Sequence, residues 1–310
     1  MSNLDLVTGG SGFIGSHVVE GLLAAGRQVR VLDNLSTGYA KNLDGLDCEI
    51  VQGDAADRAI ALAACEGVGR IFHLAARPSV PWSFEHPEAA AVANHGTTES
   101  LIEASRQQGV RRIVFSSSSA IYGDSPELPK TEDMEPAPKS PYAEHKLAGE
   151  HALAAAAANF GLESVSLRYF NVFGPRQDPS SPYSGVISLM VRWLEEGTAP
   201  TFFGDGLQTR DFIYVADVVQ ANLAAASVTL TAPARVVNVA CGQRITLLDL
   251  WKTLCRVAGV EEQEAQFLEA RVGDVRHSLA DISIATTELG FAPRFTLEQG
   301  LERMMDPKAV

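Results

Sequence analysis

Leu4 to Val7 is a short apolar run, and it ends in Thr8-Gly9-Gly10-Ser11-Gly12-Phe13-Ile14-Gly15. Behind this turn Phe13, Ile14, Val18, Leu22 and Leu23 fall on one side of a helix that Gly26 stops. Strand, glycine turn and helix in that order narrow the fold more than any other stretch. With the spacing Gly9-x-x-Gly12-x-x-Gly15, the backbone can turn tightly and approach a pyrophosphate, which rests on the N-terminus of the helix. Gln28 to Leu32 then reads as a second strand ending in Asp33, 18 residues past Gly15. A carboxylate there can accept both ribose hydroxyls of NAD and would repel the extra phosphate of NADP.

The alternation continues. Glu49 to Val51 reads as a strand, followed by Gly53-Asp54, whose carboxylate can meet an adenine. Arg70 to Leu74 is another, leading into Ala75-Ala76, small enough for a cofactor to lie close. A helix is expected from about Pro87 to Gln108, then a strand at Ile113. Repeated strand–helix units of this length predict an α/β protein with a doubly wound parallel sheet. Pro126 to Pro141, rich in Pro, Lys and acids, reads as a surface loop near the site. Tyr142 opens an Ala-rich helix through Phe160, stopped by Gly161, and Val165 to Tyr169 is the next strand. Past residue 174 the rhythm weakens, which predicts a smaller C-terminal substrate-binding lobe. Val236 to Val239 is expected to return to the main sheet.

Reactive chemistry concentrates between Ser116 and Lys146. The apolar run Ile113-Val114-Phe115 gives way to four serines, Ser116 to Ser119, and the stretch closes on Tyr142-Ala143-Glu144-His145-Lys146. Tyr and Lys four apart share one helix face. An ammonium beside a phenol favours the phenolate and draws its pKa down from about 10. A serine hydroxyl at the end of the preceding strand could hold the same substrate oxygen. Such a set takes a proton from an alcohol while a neighbour removes hydride. In the lobe, Phe202-Phe203-Gly204, Arg210-Asp211 and Arg271-Val272-Gly273-Asp274 stand out. Separated arginines beside aromatics suit a nucleoside diphosphate, the guanidinium pairing with phosphate oxygens and the ring covering a base.

Composition excludes other classes. The chain has 310 residues, 46% of them hydrophobic, enough for one large domain or two intimate ones. A net charge of −13 argues against nucleic-acid or anionic-membrane binding, so a phosphate ligand needs a local basic pocket. Four scattered cysteines without a CxxC pair predict a reduced, cytoplasmic setting. The histidines lack ligand spacing, so no metal is expected. No signal-peptide profile and no apolar run near the ~20 residues of a membrane span are present in the sequence.

Gly9-x-x-Gly12-x-x-Gly15, Asp33, Ser118, Tyr142-x-x-x-Lys146 and Arg168-Tyr169-Phe170-Asn171 together resemble the extended short-chain dehydrogenase/reductases over essentially the whole chain. Within them the chain looks most like the UDP-sugar 4-epimerases, especially the bacterial UDP-N-acetylglucosamine 4-epimerases. Phe173-Gly174-Pro175-Arg176-Gln177-Asp178-Pro179 and the run Gly273 to Asp281 carry that closer likeness.

The resemblance implies a Rossmann-like NAD domain over 1–172, with return segments near 210–240, and a UDP-sugar lobe over most of 173–310. It implies Tyr142 as base, Lys146 as its electrostatic partner and Ser118 as the hydrogen-bonding hydroxyl. Tightly bound NAD would be held by Gly9, Gly12, Phe13, Ile14, Gly15, Asp33, Asn34, Asp54, Ala55, Leu74, Ala75, Ala76, Asn94, Ser116, Tyr142, Lys146 and Tyr169. The UDP-sugar would meet Ser79, Ser118, Asn171, Val186, Thr201, Phe202, Phe203, Arg210, Arg271, Asp274 and Ser278. Ser278 would line the wall beside the sugar 2-substituent, where a small residue leaves room for an N-acetyl group. A homodimer through the helices around 88–107 and 142–160 is also implied.

Departures separate the relatives. The 4,6-dehydratases and nucleotide-sugar decarboxylases carry carboxylates where this chain has Ser119-Ala120. Without one, acid–base work at C5–C6 has no agent. Glucuronate epimerases usually show Thr at the position of Asn171. The rival readings are another nucleotide-sugar enzyme, such as a reductase or glucuronate epimerase, and a non-catalytic dinucleotide sensor. Sensors of that kind typically lose the Tyr-Lys pair.

Overall fold

A computed structural model describes residues 2–178, 185–270 and 275–306. Seven parallel strands form the central sheet: β1 (Leu4–Thr8), β2 (Gln28–Asp33), β3 (Glu49–Gln52), β4 (Arg70–His73), β5 (Arg112–Ser118), β6 (Glu163–Tyr169) and β7 (Ala234–Val239). Their spatial order is β7-β6-β5-β4-β1-β2-β3. The order reverses beside β1, the crevice where ligands of open α/β sheets bind. The expected return strand is β7, paired with β6 from Ala234↔Ser164 to Val239↔Tyr169.

The apolar strands are continuous because both faces are covered. On one face Val7, Val31, Val114 and Val165 pack with Val18 and Leu22 of the helix Phe13–Ala24 and with Val218 and Ala221 of the helix Val215–Ser227. On the other, Leu6, Leu32, Ile71, Ile113 and Phe115 meet Ala61, Leu101 and Leu153 of the helices Arg58–Ala64, Thr97–Gln108 and Pro141–Phe160. Successive strand residues thus serve opposite cores, as the period of two requires. The helix expected over 87–108 contains a π-helical turn at Val92–Gly96 between Pro87–Ala91 and Thr97–Gln108.

In the smaller lobe the helices Val186–Glu196, Leu247–Ala258 and Leu297–Met305 and short strand pairs surround a core containing Ile187, Met190, Phe202, Leu250 and Trp251. Pro126 to Pro141 is more than a surface loop. Lys130 is buried and its backbone pairs with Leu279 and Asp281, pinning the segment that carries Ser278. Among the described residues no helix is long and apolar enough to cross a membrane.

Candidate active site

A cleft of about 910 Å³ runs along the C-terminal ends of the strands. The three glycines of the first turn do different work there. Gly9 has φ +70°, and a Cβ on it would lie 2.7 Å from the Ala75 nitrogen. A Cβ on Gly15 would fall 2.1 Å from the Gly9 carbonyl oxygen, so Gly15 allows helix and loop to touch. A Cβ on Gly12 would meet only the Gly9 oxygen, at 3.2 Å. Gly12 lines the cleft and precedes the helix Phe13–Ala24 without a side-chain cap, so the first-turn N–H groups are open to an anion.

Asp33 is fixed at the end of β2. Its Oδ2 accepts from Ser11 N at 2.9 Å and its Oδ1 from Leu35 N at 2.8 Å. Next to it, Asn34 Nδ2 donates to Asp54 Oδ2 at 3.1 Å. An uncapped helix start, a carboxylate aimed at the same cleft and the small pair Ala75-Ala76 suit a dinucleotide extended across the sheet edge.

At the other end of the cleft, β5 delivers Ser116 and Ser118 and the helix Pro141–Phe160 delivers Tyr142 and Lys146. That helix starts cleanly because Ser140 caps it, its hydroxyl accepting from Ala143 N at 3.2 Å, with Pro141 in the first turn. Ser118 and Tyr142 line the same end of the cleft, and the Ser118 hydroxyl acts on the Tyr142 phenol. Lys146 is buried, donates from Nζ to the Ser116 carbonyl at 2.6 Å, and lies over the Phe115 ring at 4.9 Å.

Burial brings Lys146 down to about 7, opposed by the charge of Glu150. Burial also pushes the Tyr142 phenol up, and the nearby Ser118 hydroxyl opposes this. The expectation that Lys146 by itself favours the phenolate is therefore not met. The ammonium faces a carbonyl, and desolvation outweighs it. Beneath the pair, Glu150 accepts from Ser117 Oγ at 2.5 Å and from Arg168 at 3.0 and 2.8 Å. The buried His73, between Thr8 and Thr98 hydroxyls, is held neutral, its pKa lowered to about 3 by burial and then by Lys146.

Of the residues named from sequence, Gly9, Gly12, Phe13, Ile14, Gly15, Asp33, Asn34, Asp54, Ala55, Leu74, Ala75, Ala76, Ser79, Ser116, Ser118, Tyr142, Lys146 and Tyr169 line this cleft. Asn94 stands behind it, buried, its Oδ1 accepting from Arg77 N at 2.7 Å. Asn171, Val186, Thr201, Phe203, Arg210 and Ser278 belong to the lobe side and are not part of the lining. The Phe202 ring is buried in the lobe core, edge-on to Trp193. Arg271 and Asp274 lie outside the described residues.

Sequence reading missed Arg77 and Trp82, and also Tyr39, which reaches across to Asp178 with a 2.7 Å hydrogen bond. The signal for Arg77 was a cation directly after Ala75-Ala76.

Fold and site together define a nucleotide-dependent enzyme built on a glycine-loop sheet with a Ser-Tyr-Lys centre. The chain belongs to the NAD dependent epimerase/dehydratase family, whose model matches residues 6–240. It is 37% identical to UDP-glucose 4-epimerase of Mycolicibacterium smegmatis over 310 residues, 97% of each chain. Among solved structures it resembles UDP-N-acetylglucosamine 4-epimerase from Methanobrevibacter ruminantium in complex with UDP-N-acetylmuramic acid. There the TM-score is 0.92 and the identity 37%, over 98% of this chain and 96% of that one. UDP-glucose 4-epimerase from Thermotoga maritima with UDP-glucose matches at TM-score 0.92 and 37% identity, over 97% of each.

Proposed function

We propose that this chain inverts C4 of UDP-hexoses, acting on the UDP-N-acetylglucosamine/UDP-N-acetylgalactosamine pair and also on UDP-glucose/UDP-galactose. The observation that carries the reading is Ser118, Tyr142 and Lys146 together at one end of a cleft whose other end suits a dinucleotide. Residues 1–172, with return segments near 210–240, hold NAD, and most of 173–310 holds the UDP-sugar. Bound NAD would supply the hydride acceptor for the sugar C4 and the hydride donor for its opposite face.

The chain's own residues handle the proton. The Tyr142 oxygen removes it from the C4 hydroxyl and later returns it. The Ser118 hydroxyl holds the same substrate oxygen, and Lys146 Nζ lies 5.9 Å from the centre of the Tyr142 ring. Between the two transfers the 4-keto sugar turns over, so the sugar pocket must be loose while Asn171, Arg210, Arg271 and Asp274 hold the UDP firmly. The half-buried, small Ser278 supports room for an acetamide. The enzyme works in the cytoplasm and keeps its NAD through turnover.

The test is incubation with a panel of UDP-sugars, without added NAD, and separation of the epimers. Interconversion at C4 on both pairs is expected. A requirement for stoichiometric added NAD would identify a net redox enzyme instead.

A further inference from the structure

We propose that Arg77 is a phosphate-binding residue that closes over the glycine loop and pairs with the diphosphate of the bound dinucleotide. The proposal rests on the reading of this cleft as the NAD site.

The sheet order β4-β1-β2 places the loops after β4 and β2 on either side of the loop after β1. Arg77 follows β4, and its Nη1 donates to the carbonyl of Ser36, beyond β2, at 2.8 Å. That contact therefore spans the Gly9–Gly15 turn. The β2 loop is itself laid onto the turn: Tyr39 N and Asn42 Nδ2 both donate to the Ser11 carbonyl, at 3.0 and 2.9 Å. A Cβ on Gly38 would lie 2.7 Å from the Ser11 carbonyl carbon. Arg77 is thus tied to the loop that covers the open N-terminus of the helix Phe13–Ala24.

The guanidinium is also oriented in advance. The Arg77 backbone N–H is tied to buried Asn94, and the guanidinium stacks over Trp82 at 4.9 Å. A planar fork held in this way loses little freedom when it pairs with phosphate oxygens.

Electrostatics require such a group. The chain carries net charge −13, and Asp33, Asp54 and Asp178 all line the cleft. Among the described residues lining it, the cationic side chains are Arg77 and Lys146, and Lys146 is directed at the Ser116 carbonyl. Arg210 does not line the cleft. A dianionic linker at the glycine turn is thus served by the helix N-terminus and by Arg77.

The experiment uses the full chain stripped of cofactor, as wild type, Arg77→Gln and Arg77→Lys. Binding of NAD, ADP and adenosine is followed by calorimetry at two salt concentrations. We expect Arg77→Gln to weaken NAD and ADP at least tenfold, with a shallower salt dependence, and to leave adenosine within twofold. Arg77→Lys should recover part of the loss. An unchanged NAD affinity in Arg77→Gln overturns the proposal. So does an equal loss for adenosine, which would make the residue a scaffold for the cleft. If wild type itself fails to bind NAD, the reading of the cleft falls first and the proposal with it.

Discussion

Lys146 Nζ donates to the carbonyl of Ser116 at 2.6 Å, and the centre of the Tyr142 ring is 5.9 Å away from it. The lysine is thus positioned by the strand that also presents Ser118, and it reaches its tyrosine through space without a direct bond. Both groups are costly to charge in this setting: burial lowers Lys146 to about 7 and raises Tyr142. Further positive charge in the cleft would favour the phenolate, and an oxidised nicotinamide ring would supply it.

Tyr142→Phe should abolish epimerisation while leaving NAD and UDP binding nearly intact. Loss of a general base removes about 10²–10⁴ of the rate. Steady-state rates beside cofactor and UDP titrations check this, and retention of more than a third of wild-type turnover would remove Tyr142 from the role.

Lys146 also sets a pH dependence of stability. Its pKa is about 7 in the folded chain, against an ordinary 10.5. Between those values the unfolded chain binds a proton that the folded chain has released, so stability rises with pH across the window. Below pH 7 the cost of burying the charge is fully present. The cofactor-free Lys146→Met variant should therefore melt higher than wild type at pH 7, with the gap closing toward pH 10. Thermal melts of both proteins test it, and a gap independent of pH would contradict the assigned shift.

Ser278 donates its backbone N–H to the Thr209 carbonyl at 3.1 Å, which places it beside Arg210. If Ser278 lines the sugar wall as proposed, an acetamide would have to clear it in both orientations of the turning sugar. Ser278→Tyr should lose at least tenfold on UDP-N-acetylglucosamine, about 1.4 kcal/mol of transition-state binding, and largely keep UDP-glucose. Measured kcat/KM for both sugars decides it. Equal loss on the two, or none on either, sinks the gatekeeper role.

The helices Val80–Glu85, Pro87–Ala91 with its continuation, and Pro141–Phe160 expose Val80, Phe84, Val92 and Phe160. A homodimer through the last two helices would cover apolar surface of this kind. Light scattering at micromolar protein should give twice the 33.1 kDa chain mass. A monomeric mass refutes the arrangement.

While the choice of Ser118 among four serines came from the family resemblance, the sequence by itself determined the sheet, the glycine turn, Asp33 and the Tyr142–Lys146 pair. These depend on local rules: strand and helix periods, glycine where backbone must approach backbone, and a four-residue step along one helix face. What distinguishes Gly9 and Gly15 from Gly12 was decided only by the neighbours each Cβ would meet. The direction of Lys146 depended on a carbonyl 30 residues away, the place of Arg77 on one 41 away, and the Tyr39–Asp178 bond on a partner 139 away. Phe202 became core because its strand pairs with Gln266–Leu268 and Trp193 packs edge-on against its ring. Such contacts form when β4, β1 and β2 come side by side and the lobe docks, and no periodicity encodes which side chains then meet.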